Sequence, residues 1–199
     1  ELVTSGIQEL RENSVLLKDG RELPADCIIL GTGFVTDPRI YMKSFPCKGL
    51  PGHDLMQDWK DGAEAYYGTT VTGYPNLFQL VGPNTGLGHN SIIFMIEAQV
   101  HYTLQCMKLL QQKGADYLNV KPQAQRSFNE KLQAKFKGTV WQSGCTSWYQ
   151  QADGRNVMLW PGSTWRFWQQ TRQVIEDDYA FTRCASPLTQ AVNAEVAAA

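Results

Sequence analysis

The stretch Gly82-Pro83-Asn84-Thr85-Gly86-Leu87-Gly88-His89-Asn90-Ser91 runs directly into Ile92-Ile93-Phe94-Met95-Ile96-Glu97. A polar, glycine-rich loop that opens onto a long apolar-periodic segment constrains the fold more than any other feature of the chain. It aims the start of a helix at something. The N–H groups of a helix's first turn lack intrahelical partners, and the helix dipole adds partial positive charge there, so the loop suits a negative group. No lysine follows the last glycine, which excludes a Walker-type phosphate loop.

The helix is predicted over residues 91–113. Ile93, Ile96, Val100, Leu104, Met107 and Leu110 recur at spacings of three and four, forming one apolar stripe of the kind that faces a core. Asn90 or Ser91 is the expected N-cap, and Gly114 suits the C′ position. A second helix is predicted from Pro122 to Lys137, ended by Gly138, and a short third from Thr164 to about Glu176. Asp19-Gly20 and Asp153-Gly154 are hairpin signals, since both residue types tolerate positive φ. Ala25-Asp26-Cys27-Ile28-Ile29-Leu30 is a continuous apolar run, expected to be a strand buried on both faces as in a parallel sheet. Leu77 to Gly82 is a second short buried-strand candidate. The fold class expected is therefore α/β.

Composition sets limits on function. A net charge of −1 gives no general attraction to nucleic acid or to an anionic membrane. The five cysteines, at 27, 47, 106, 145 and 184, form no Cys-x-x-Cys pair, so structural zinc and a disulfide framework are not expected and a reducing cytoplasm fits best. The apolar run at Ile92 is only five residues, far short of a membrane span. No cluster of metal-ligand type is present, and His89 in the loop reads first as a histidine bonded to backbone. Cys27 and Cys106 are expected to be inert packing residues rather than nucleophiles. Five of the six tryptophans fall between Trp141 and Trp168, and with no basic groove around them they are expected to line a core or substrate pocket. The chain starts at Glu1, without Met, inside what reads as a strand, and is expected to be a fragment of a longer protein.

Several segments together resemble a known family. Asp26-Cys27-Ile28-Ile29-Leu30-Gly31-Thr32-Gly33-Phe34 is similar to the Asp-x-Ile-Ile-x-Ala-Thr-Gly-Phe segment of the class B flavin monooxygenases, the Baeyer–Villiger and flavin-containing monooxygenases. Here Gly31 stands where the family more often has Ala. Tyr67-Gly68-Thr69 through Gly73-Tyr74-Pro75-Asn76-Leu77-Phe78 resembles the Baeyer–Villiger members. Gly82-Pro83-Asn84-Thr85-Gly86 and Ile96-Glu97-Ala98-Gln99 complete that pattern. No G-x-G-x-x-G fingerprint is present.

The resemblance implies the C-terminal part of a flavoprotein with two dinucleotide-binding domains. Residues 1–36 would end the NADPH-binding domain, and residues 37–199 would form the C-terminal part of the FAD-binding domain. The helix start would approach the pyrimidine side of the flavin. There Asn84, Thr85, Gly86 and Leu87 would contribute contacts mainly through backbone, and Thr32 and Gly33 would join the cofactor site. The implied reaction is hydride transfer from NADPH to FAD, then capture of O2 as a flavin C4a-peroxide that oxygenates a ketone, amine or sulfide. The catalytic residues are left unassigned, and the fragment alone is expected to be inactive. Its exposed edges are candidates for pairing between copies as a homodimer. Two alternatives stay open: another pyridine-nucleotide-dependent flavoprotein oxidoreductase, or a non-catalytic packing fragment.

Overall fold

The computed structural model describes residues 1–31, 45–142, 147, 149–151 and 153–184. The chain divides into two compact units, Glu1–Phe34 and Val35–Ala199. The first is a three-stranded antiparallel meander of β1 (Ile7–Leu10), β2 (Ser14–Leu17) and β3 (Glu22–Pro24). Asp19-Gly20 makes the β2–β3 turn as the sequence predicts. The Leu17 N–H donates to Arg21 O at 2.8 Å, and Gly20 takes a φ of 86°. The buried parallel strand expected at 25–30 is not present. Residues 25–31 form neither helix nor strand, and Ile28, Ile29 and Leu30 are exposed. Cys27 is exposed as well, against the expectation that it packs inside. A strand buried on both faces needs a neighbour on each edge and a layer on each side, and the three-stranded meander supplies neither.

The second unit is organised by a 22-residue helix, α2 (Ile92–Lys113), preceded by the one-turn helix α1 (Leu55–Asp58). After α2 come β4 (Tyr117–Val120), α3 (Pro122–Ala134), α4 (Thr164–Thr171) and β5 (Tyr179–Thr182). β4 and β5 pair antiparallel, Leu118 opposite Phe181 and Val120 opposite Tyr179. Neither strand was foreseen, because four residues are too short to show a period. α3 begins at Pro122 as predicted but ends at Ala134, short of Lys137. α4 ends at Thr171, where the Thr171 hydroxyl donates back to Phe167 O at 2.9 Å. The Asp153-Gly154 turn forms, with Gln150 bridging Asn156 across it. Leu77–Gly82 is not a strand, and Leu80 and Val81 are exposed.

α2 buries Met95, Ala98, Gln99, Tyr102 and Cys106 against a core that includes Leu118, Val120, Leu132, Phe136, Trp160, Phe167 and Tyr179. Each large apolar side chain removed from water contributes about 1.5–3 kcal/mol. The buried hydroxyls are partnered: Tyr102 with Tyr179 at 2.9 Å, and Thr70 with Tyr179 at 3.0 Å. Four of the six residues in the stripe singled out from periodicity lie on the other face, whereas Ile96 is half-buried and Leu110 packs against the core. Ile93, Val100, Leu104 and Met107 are 57%, 40%, 51% and 54% exposed. Both sides of α2 are apolar, so a 3.6-residue period cannot choose between them. α4 and β4 cover the side that carries Tyr102. Among the described residues no helix is long and apolar enough to cross a membrane.

Candidate functional site

The loop from Gly82 to Ser91 is held by contacts that its own sequence does not reveal. Asn84 is buried with a φ of 58°. Its Nδ2 donates to Asn156 O at 2.7 Å and Leu159 O at 3.0 Å, and its backbone N–H donates to Val157 O at 3.0 Å. Asparagine tolerates the left-handed region because its short amide finds local acceptors. The Gly86 N–H donates to Met158 O, and the Trp160 N–H donates to Gly86 O, both at 2.8 Å, so the loop runs as a short parallel bridge beside Leu159. Thr85 is fully buried and its hydroxyl donates to Gly82 O at 2.6 Å. Leu87 is half-buried against the main core.

The backbone N–H groups of Asn84 and Gly86 are thus occupied by the protein itself. Among the described residues those of Thr85, Leu87 and Gly88 have no hydrogen-bond partner. Ser91 takes the N-cap position of α2 but its side chain caps nothing, and no acidic residue stands in the first turn. Asn90 Oδ1 accepts from the Ser91 N–H at 2.7 Å, while Asn90 Nδ2 reaches Thr164 Oγ1 at 3.0 Å and ties the loop to the start of α4. With no carboxylate in its first turn, the start of α2 keeps the partial positive charge of a helix N-terminus. Trp141 closes over Gly88 so tightly that a Cβ there would lie 2.4 Å from the indole. His89 is exposed beside it. Thr32 and Gly33, the remaining expected site residues, lie outside the described residues.

One residue that fixes the site carried no assigned role at the level of sequence. Gln99 is fully buried on α2. Its Oε1 accepts from the Val81 N–H at 2.9 Å, and its Nε2 donates to Gly68 O at 2.9 Å and Thr69 Oγ1 at 3.1 Å. Gly68 has a φ of 59°, and a Cβ on it would meet the Thr85 methyl at 2.2 Å. Gln99 therefore clamps the Tyr67-Gly68-Thr69 turn and the entrance of the loop to one helix. A buried amide must find partners, but the polar neighbours Glu97, His101, Thr103 and Gln105 on the same helix gave no sign in the sequence that Gln99 is the one inside. Asn156 is the second such residue: its Oδ1 accepts from the Met158 and Leu159 N–H groups at 3.1 and 2.9 Å.

An apolar cavity of about 520 Å³ lies against the loop, walled by Leu55, Trp59, Leu77, Val81, Pro83 and Met158, with Gly82 and Gly86 at its rim. A cleft of about 570 Å³ on the far side of Tyr66 and Tyr67 shares no lining residue with the loop. Four cysteines are free among the described residues, and burial pushes the Cys106 thiol up to about 12. No group of three or more His, Cys, Asp or Glu side chains among the described residues is arranged to hold a metal ion.

No family model matches the chain. Its fold is that of part of the flavoproteins with two dinucleotide-binding domains. It superposes on a steroid monooxygenase bound to NADP with a TM-score of 0.70 at 23% identity, over 91% of this chain and 34% of that one. It superposes on OTEMO in complex with FAD and NADP with a TM-score of 0.67 at 21% identity, over 89% and 33%. Sequence narrows the class. The chain is 46% identical over 184 residues to a Baeyer–Villiger monooxygenase of Pseudomonas aeruginosa, covering 91% of this chain and 34% of the relative. It is 41% identical over 198 residues to one of Streptomyces coelicolor, covering 98% and 38%. The chain thus matches a portion of the class B flavin monooxygenases and spans about a third of the length of these relatives.

Proposed function

We propose that this chain is the flavin-facing C-terminal part of an FAD- and NADPH-dependent monooxygenase that inserts one oxygen atom of O2 into a ketone, an amine or a sulfide. On this reading residues 1–36 end the NADPH-binding domain, residues 37–199 belong to the FAD-binding domain, and the protein works in the cytoplasm. The observation that carries the reading is the uncapped start of α2, with the unpartnered Leu87 and Gly88 N–H groups in the loop that precedes it. Fixed backbone donors suit the edge of a reduced flavin, where negative charge gathers on N1 and the C2 carbonyl, because they need no reorganisation when that charge appears. Bound FAD would supply the redox chemistry with NADPH and O2. The chain's own residues divide the remaining work. Leu87 would offer its N–H group to the ring, and the fully buried Thr85 would hold the loop's shape through its hydroxyl on Gly82 O. Asn84 and Gly86 would act indirectly, by locking the loop to residues 156–160. Thr32 and Gly33 would be further cofactor-binding residues, and Trp141 and Leu87 would keep water from the loop. The names of the relatives and the cofactors of the superposed structures support the same pairing.

A polypeptide of family length containing this chain, loaded with FAD, is expected to consume NADPH and transfer label from isotopic dioxygen into a ketone, amine or sulfide. NADPH-dependent reduction with no label in any of the three products would favour a different oxidoreductase. The 199-residue chain alone is expected to show no tight binding of FAD. Saturable binding at micromolar concentration would overturn its role as half a site.

A further inference from the structure

The cleft of about 570 Å³ behind Tyr66 and Tyr67 is aromatic at its floor and charged at its rim. Tyr66, Tyr67, Leu132 and Trp160 are buried beneath it, and the Phe128 ring packs on both tyrosines, with centroids 5.3 and 4.6 Å apart. α3 forms one wall. Ala124, Phe128, Lys131 and Lys135 recur at spacings of four, three and four, so at 100° per residue they share one face.

The charges in the cleft are separated along that helix. Asp177 and Asp178 line the end where α3 starts, with Lys121 beside them. There the Lys121 N–H donates to Asp178 O at 2.8 Å, and the Tyr66 hydroxyl donates to the Asp178 carboxylate. Lys131 and Lys135 stand at the other end, about 15 and 20 Å along the helix from Lys121 at 1.5 Å per residue. Among the described residues the Lys131 ammonium has neither an ion pair nor a hydrogen bond, and that of Lys135 lies 5.6 Å over the Trp160 ring. Two neighbouring cations are thus left without an anion at the edge of an aromatic floor. The cleft shares no lining residue with the loop at 82–91 or with the exposed side of α2. Covering unpaired ammonium groups with more protein is costly, so this rim is built to face solvent in a longer polypeptide too.

We infer that the cleft binds a small aromatic carboxylate, its ring against Phe128 and Trp160 and its acid group between the Lys131 and Lys135 ammonium groups. The volume is that of a site which buries most of a small ligand, and the lining has the usual form of an apolar body with a few charged groups. Lysines take a carboxylate as point charges, and a flat ring matches aromatic walls. Inorganic phosphate would leave the floor unused, and a neutral hydrocarbon would leave the cations unpaired. The site stands apart from the loop and does not depend on the flavin-facing reading.

The test titrates 2-naphthoate and its neutral counterpart 2-naphthamide into the FAD-loaded family-length polypeptide and into the 199-residue chain, by isothermal titration calorimetry. Naphthoate is expected to saturate one Lys131- and Lys135-dependent site in both, with a dissociation constant of about 10–100 μM. Naphthamide is expected to bind at least roughly tenfold more weakly. The double change Lys131→Gln and Lys135→Gln should weaken naphthoate by a similar factor and leave naphthamide unchanged. Circular dichroism establishes that the variant is folded. Should it fail to fold, the double change Lys131→Arg and Lys135→Arg is used, which is expected to retain naphthoate over naphthamide. Equal binding of the two compounds, binding that survives loss of both lysine charges, or no saturation by about 1 mM would each overturn the inference. Lysine-dependent binding in the short chain but not in the long polypeptide would overturn it as well, since the cleft would then be filled in the longer protein. Flavin absorbance is recorded separately, and binding by the polypeptide without flavin supports the site while rejecting the cofactor reading.

Discussion

Asn84 does two jobs that few side chains can do together. It accepts a left-handed backbone, and it donates to two buried carbonyl groups, Leu159 O and Asn156 O, the second of which it shares with Gln133. Asn84→Gly keeps the conformation and loses the hydrogen bonds, at a cost of about 1–2 kcal/mol. Asn84→Ala adds roughly 1 kcal/mol of steric strain. Urea denaturation is expected to rank them wild type, Gly, Ala; Ala more stable than Gly would contradict the strain argument. At Gln99 the expected loss is larger. Gln99→Leu strands the buried Gly68 carbonyl and leaves the part-buried Val81 N–H without its partner, for about 2–3 kcal/mol. Neither effect is visible in a linear reading, because the partners of Asn84 lie more than 70 residues away and those of Gln99 about 18 and 31. What could be read was residue type alone: an Asn after a Pro in a glycine-rich loop, and one of several polar residues on a long helix.

At the scale of elements, the two longest helices begin without a side-chain cap and the short α4 begins with one. Ser163 accepts from the Arg166 N–H at 3.3 Å. Ser163→Ala should cost about 1 kcal/mol, read as a shift in denaturation midpoint with unchanged slope. At α2 the opposite change is informative. Ser91→Asp supplies the missing cap and should stabilise the 199-residue chain by about 0.5–1 kcal/mol. In the family-length polypeptide the same carboxylate competes with a reduced flavin for the helix start, so a more negative flavin potential is expected. A potential unchanged by Ser91→Asp would place the flavin elsewhere. Local chemistry made the α2 boundaries, the two Gly-centred turns and the Pro122 start legible. The strands failed where their identity depended on neighbours: residues 25–30 carry strand residues but no partner, and β4 and β5 have a partner but too few residues to signal it.

Across the second unit, the interior is tied by tyrosine hydroxyls. Burial, together with contact with Asp178, drives the Tyr66 phenol well above its ordinary range; burial does the same to Tyr102 and Tyr179, and raises the Cys106 thiol to about 12. Each folded-state value exceeds the unfolded one. The stabilisation is therefore complete only below about pH 8, where the unfolded thiol still holds its proton, and is lost as pH rises through the unfolded thiol's range toward the folded values. Melting temperature should be flat between pH 7 and 8 and fall progressively above about 8.5–9, by scanning calorimetry. Iodoacetamide at pH 8 should modify Cys27 and Cys184, which are exposed, and leave Cys106 untouched until the chain unfolds.

By itself the sequence determined the elements whose cause is local: a long helix behind a glycine-rich loop, turns at Asp-Gly, a helix opened by proline, and the motif order shared with class B flavin monooxygenases. Only the tertiary structure decided which face of that helix is inside. It also decided which loop N–H groups remain available, and which buried amide holds the loop in place. The reason is physical. Periodicity records that a residue avoids water, whereas the choice between two apolar faces, and the destination of each buried hydrogen bond, depends on segments far away in the chain.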